Sequence, residues 1–147
     1  MLSPLLASDG PMGRGAIDNY VISPDLHMWV GIAVLTALAV TTIWVARLAL
    51  TRRPVERGAV VLVVVTELVL MAQALLGIKL LDQGSGFNQL YIHYLGGLIP
   101  LGLFMLAGWT GWRRLGRSAL PLALLVGAGS ASAAMAFAIG RAFVNQA

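Results

Sequence analysis

The chain has two histidines, and both stand in the same local pattern. His27 lies in PDLHMWVG and His93 in LYIHYLGG, each at the start of a long apolar run, with Gly31 and Gly97 four residues further on. Neutral imidazole binds metals through a ring nitrogen and is a common axial ligand of haem iron. Residue i+4 of a helix lies one turn along the same face, so glycine there removes the side chain that would collide with a flat macrocycle. The spacing therefore points to His27 and His93 as axial ligands of one haem, a haem b, with Gly31 and Gly97 giving the ring room. Two other readings stay open. A bare metal ion would find few further ligands, since Asp25 is the one carboxylate nearby. Without any cofactor, His27 would be an interfacial residue at a helix start and His93 a buried hydrogen-bonding one.

The elements that must position these residues are membrane spans. Of the 147 residues 59% are hydrophobic and 11% charged, with mean hydropathy +0.84. Soluble domains carry roughly 25% charged residues, so this composition belongs to a different class. Four apolar stretches, at about 27–48, 58–81, 90–112 and 120–143, each exceed the roughly 18 residues a helix needs to cross the hydrocarbon core. The expected fold is an all-α integral membrane protein, a four-helix transmembrane bundle over residues 24–147, preceded by an arm of residues 1–23. The absence of cysteine excludes disulfides, thiolate metal sites and c-type haem attachment.

Charge sets the expected orientation. Arg47, Arg52, Arg53 and Arg57 flank the connector between spans one and two, and Arg113, Arg114 and Arg117 that between spans three and four. These are seven of the ten basic residues, and the positive-inside rule puts their side in the cytoplasm. Both termini are then extracytoplasmic, in a prokaryotic plasma membrane. Belts of Tyr20, Trp29, Phe87, Tyr91 and Tyr94 at the outer ends, and Trp44, Trp109 and Trp112 at the inner ends, fit the same arrangement. The arginines read as topology anchors, so the pI near 10.4 does not indicate nucleic acid. Lys79 and Arg141, near the outer ends of spans two and four, lie on the side the charge rule disfavours. They would suit haem propionates or, alternatively, snorkel to lipid phosphates.

Glu67 falls near the middle of span two, in VVVTELVLMAQALLG. A carboxylate at that depth is costly and marks function by default, as a proton relay or a contact to a partner subunit. The structural reading is a protonated side chain bonded to Thr41, Thr42, Ser130 or Ser132. Gln73 in the same span is an expected interhelical hydrogen-bonding residue. The small-residue run from Gly127 to Ala134 predicts close packing of span four against a neighbour or a partner. Pro100 and Pro121 are expected to kink or start helices.

The stretch LMAQALLGIKLLDQGSGFNQLYIHYLGGLIPLGLFMLAGW resembles the heme A synthase family. In that family a Gln-x-Leu-Leu-Gly-type pattern near the outer end of one helix is followed by a short loop and a haem-ligating histidine. Here these positions are Gln73, Leu75, Leu76, Gly77 and His93, and LHMWVGIAVLTALAVTTIWVARL, with His27, looks like the preceding ligand helix. Eight-helix members are two fused four-helix halves, and compact four-helix members pair as dimers; this chain is similar to one half over about residues 25–112. The family's catalytic helix has a glutamate one turn before its histidine and an arginine directly after it. Pro24 and Met28 stand there instead, and Asp25 is displaced by one. The resemblance therefore implies a haem-binding half without haem-methyl oxidation, engaged in electron transfer or haem handling, as a homodimer or in a larger complex. The competing expectation is a cofactor-free accessory subunit of a respiratory or photosynthetic membrane complex. Transport has little support, because the four spans carry only one charge at mid-membrane.

Overall fold

The computed structural model describes residues 20–84 and 91–144; most of the N-terminal arm, and Phe87 of the aromatic belt, lie outside them. Four helices follow one another, α1 (Pro24–Leu50), α2 (Arg57–Asp82), α3 (Tyr91–Trp109) and α4 (Ala119–Val144). All four are long and apolar enough to cross a membrane. The chain is an integral membrane protein, a four-helix bundle. α1 packs between α2 and α4, and α3 packs mainly on α4 with slighter contact to α2. α1 and α3 are therefore diagonal partners. Leu38, Val45, Val63, Phe104, Leu122 and Val126 are almost wholly buried between the helices, whereas Ile43, Leu68, Met105 and Leu124 point outward. Large apolar side chains on the outer face of every span suit contact with lipid.

Local sequence explains the helix ends. Ser23 caps α1 by accepting a hydrogen bond from the Asp25 amide at 3.1 Å, and Pro24 occupies the first turn, where its missing N–H costs nothing. α1 ends in a Schellman turn. The Arg53 amide donates to the Leu48 carbonyl at 2.8 Å and the Arg52 amide to the Ala49 carbonyl at 3.1 Å, with Arg52 at φ 54°. A left-handed conformation costs a non-glycine residue roughly 1–2 kcal/mol. Arg52→Gly should therefore stabilise the protein by about 0.5–1 kcal/mol, measured as a higher unfolding midpoint in detergent.

α3 is shorter than the apolar run suggests. It stops at Trp109, and Thr110 to Trp112 lie outside it, because Gly111 turns the chain at φ 73° and the Arg113 amide bonds back to the Ala107 carbonyl. Pro100, inside α3, cannot donate to the carbonyl of Gly96 four residues earlier. The hydroxyl of Ser132 on α4 donates to that carbonyl at 2.9 Å, so a neighbouring helix satisfies the group that proline leaves free. The two helices are close there: a Cβ on Gly96 would lie 3.0 Å from that of Ala136, and one on Gly129 would lie 3.4 Å from the Pro100 Cα. The small-residue run of α4 is thus used against α3. Between the other helices, Thr41 bonds Thr66 at 2.8 Å and Thr42 bonds Ser130 at 2.7 Å.

The two arginine-rich connectors meet at one end of the bundle. Pro54 and Ser118 form an antiparallel bridge, with the Val55 amide donating to the Arg117 carbonyl at 2.8 Å and the Gly116 amide to the Val55 carbonyl at 3.0 Å. At the other end, the side chain of Gln83 closes on Ile22, accepting from its amide at 2.8 Å and donating to its carbonyl at 3.0 Å.

Candidate functional site

His27 is the fourth residue of α1 and His93 the third of α3, so both enter the bundle at the end opposite the arginine connectors. Across the bundle diagonal their ring centres come within 6.2 Å, with an angle of 70° between the ring planes. Two imidazoles on opposite sides of one metal ion, each nitrogen about 2 Å from it, have ring centres roughly 6 Å apart. The two histidines that share the His-x-x-x-Gly pattern are therefore neighbours in the fold.

Each ring has one nitrogen held and one left over. His93 Nδ1 donates to the Ala136 carbonyl on α4 at 2.7 Å, which fixes the tautomer with Nε2 unprotonated. His27 Nε2 lies 3.2 Å from the Gln73 amide nitrogen. His27 Nδ1 and Gln73 Oε1 are buried without a hydrogen-bond partner. Buried polar atoms are normally satisfied, and an orphan in a native fold calls for an explanation. The expectation that Gln73 joins two helices holds, and the residue it joins is His27.

The glycines that border the rings differ from those expected. Gly31 is buried against Gln73 and Phe137, with a Cβ there lying 3.3 Å from Gln73 Nε2 and 3.5 Å from the Phe137 ring. A Cβ on Gly97 would meet nothing within 4 Å. Beside the imidazoles stand Gly77 of α2, whose Cβ would lie 3.4 Å from His27 Cε1, and Gly140 of α4, whose Cβ would lie 2.9 Å from His93 Nδ1. A plate held between α1 and α3 must extend sideways towards α2 and α4. Bare backbone at Gly77 and Gly140 lies on those two helices, beside the ligand candidates. Gly77 was visible in the sequence as part of the Gln-x-Leu-Leu-Gly pattern, whereas Gly140 had no signal of its own.

The cations are placed differently from one another. Lys79 pairs with the buried carboxylate of Asp82 at 2.7 Å, while Arg141 is exposed near the end of α4. Glu67 is removed from the histidines altogether. Its carboxylate takes the Arg113 guanidinium at 2.5 Å, and the hydroxyls once expected to bind it bond elsewhere: Thr41 to Thr66, Thr42 to Ser130, and Ser132 to Gly96. Arg113 therefore does more than anchor the connector, because it folds back along α3 to reach Glu67. Gly108 gives it space, since a Cβ there would lie 2.6 Å from Arg113 Nη2.

No known family model, curated protein or solved structure matches this chain. The arrangement of residues is what speaks for function.

Proposed function

We propose that this chain is a membrane haem protein in which His27 and His93 are the axial ligands of a haem b near the outer face, serving electron transfer or haem handling. The observation that carries the reading is the convergence of the two imidazoles from diagonal helices to a separation that suits one metal ion between them. The residues present fit the group in three further respects. His27 Nδ1 and Gln73 Oε1 are both buried and unpartnered; with the Gln73 amide turned so that Oε1 accepts from His27 Nε2–H, Nδ1 is the nitrogen left for iron. His93 is held through Nδ1, leaving Nε2 for iron. Gly77 and Gly140 keep the helices beside the rings free of side chains.

Haem, when bound, supplies a one-electron redox centre. The chain's own residues orient and enclose it. The Ala136 carbonyl fixes the His93 ring, and a hydrogen-bonded partner on a ligand imidazole raises its basicity. Gln73 restrains His27. Arg141 is the exposed cation for a propionate, whereas Lys79, expected for the same role, is engaged by Asp82. The resemblance to one half of heme A synthase supports this placement of ligands. Haem-methyl oxidation is not part of the proposal, since Pro24 and Met28 replace the family's glutamate and arginine and Asp25 is exposed.

The orientation proposed with it has the arginine connectors in the cytoplasm, both termini outside and the histidines near the outer surface of a prokaryotic plasma membrane. A homodimer or a larger complex is the proposed assembly. The cofactor-free accessory reading loses two of its supports inside the bundle, because Glu67 is engaged by Arg113 and the small-residue face of α4 is engaged by α3. A reduced-minus-oxidised spectrum of protein purified in detergent, with extracted haem quantified, tests the proposal. A low-spin b-type signal at about one haem per site is the expected result, and a flat spectrum from cells supplied with haem precursor would reject it.

A further inference from the structure

We propose that the cavity between the end of α1 and the start of α4 binds the phosphate headgroup of an anionic phospholipid. This inference is independent of the haem reading. The cavity, of about 450 Å3, is lined by Ala49, Arg52, Arg53, Ser118, Ala119 and Leu120, among others. It lies where the two connectors bridge, at the end of the bundle away from the histidines.

Its chemistry suits a phosphate. Arg52 makes no ion pair among the described residues, and Arg53 is only loosely engaged by Glu56, at 3.7 Å and with its side chain 61% exposed. Arginine presents planar donors that match phosphate oxygens in pairs. The first turn of α4, which begins at Ala119, adds amide groups that have no partner within the helix. One of them, on Leu120, has only a 3.4 Å contact to the Ser118 hydroxyl.

The backbone that carries these groups is fixed. The Schellman turn sets Arg52 and Arg53, and the Pro54–Ser118 bridge holds the following residues against the start of α4. An arginine in a left-handed conformation, where glycine would fold more stably, has a reason to be there if its guanidinium is needed.

Its surroundings favour a lipid over a free phosphate. Ala49, Ala119 and Leu120 give the cavity apolar walls. Leu50, Leu120 and Leu124, exposed by 85%, 56% and 66%, continue that surface along α1 and α4 for acyl chains. In a membrane these helix ends sit at headgroup level, where basic pockets between spans take anionic lipids.

The test is lipid retention by the full-length protein. Delipidated protein is returned to vesicles of phosphatidylcholine containing phosphatidylglycerol, repurified, and its bound lipid counted by native mass spectrometry. The parent chain is expected to retain phosphatidylglycerol over phosphatidylcholine. Arg52→Gln with Arg53→Gln is expected to weaken that retention about fivefold or more. Arg57→Gln with Arg114→Gln, which removes the same charge from the same end but outside the cavity, should change it less than twofold. Leu120→Trp obstructs the cavity without altering charge and should reproduce the loss, which keeps the test decisive if the first pair fails to fold. Equal losses in the two arginine pairs, or equal retention of the two lipids, would overturn the proposal. So would displacement of the bound lipid by millimolar inorganic phosphate, which would make the cavity a free-phosphate site.

Discussion

If His27 and His93 hold a haem as proposed, protein carrying His27→Ala or His93→Ala should purify without the low-spin spectrum expected of the parent chain. Removing one imidazole would leave the iron of such a haem with a single protein ligand. The expected result for either variant is a high-spin signal at strongly reduced occupancy, and for the double variant no bound haem. These variants also remove hydrogen bonds to Gln73 or Ala136, so loss of colour alone would not separate ligation from packing. Gly140→Val supplies the distinction. A side chain there begins 2.9 Å from the His93 ring and should displace the imidazole while both histidines remain. Gly97→Leu, where a Cβ meets nothing within 4 Å, should leave the spectrum intact. Full low-spin haem in both single histidine variants would remove this pair from the site.

The largest effect on stability is expected at Glu67 and Arg113. Their side chains are 16% and 31% exposed. Breaking a buried pair by removing one partner costs about 3–5 kcal/mol, because it strands a charge. Arg113→Met should approach the lower part of that range, about 3 kcal/mol, as read from unfolding in detergent. Replacing both residues with leucine should recover most of the loss, since a well-packed apolar pair often serves as well as an ion pair. Gly108→Val should give a smaller loss with both charges present, because the new side chain occupies the place of the guanidinium. If the double leucine variant were no more stable than Arg113→Met, the cost would lie in packing around Arg113 and not in the stranded carboxylate.

Much of the fold was legible because apolar length and connector charge are properties of single segments. Four helices, their order and the shared end of the seven arginines follow from those alone. The meeting of His27 and His93 was also within reach, since both begin helices that run the same way. The glycines that border the rings are not the i+4 pair, for a physical reason. An i+4 rule describes one helix, whereas Gly77 and Gly140 act on imidazoles carried by other helices. Which face of one apolar helix meets another depends on rotation and register that such sequences specify weakly. The partner of Glu67 was missed likewise. Arg113 carries the same sequence signal as its neighbours in WRRLGRS, and the glycine at 108, next to the last residue of α3, gives it the space to fold inward. Ser132 and Pro100 are a third example: proline announces a missing donor, and nothing in the chain names the helix that replaces it.

His27, Gln73 and Gly77 all belong to α1 and α2, while His93, Ala136 and Gly140 all belong to α3 and α4. Each helical hairpin thus carries half of the site, ligand and clearing together. Docking of the hairpins is what unites the halves, and at the far end the Val55–Arg117 pairing joins the same two units. A group bound by both imidazoles would act as a clasp between hairpins and stabilise their association in proportion to its own affinity. Assembly of the bundle and filling of the site would then be a single linked equilibrium, in which the second hairpin completes both.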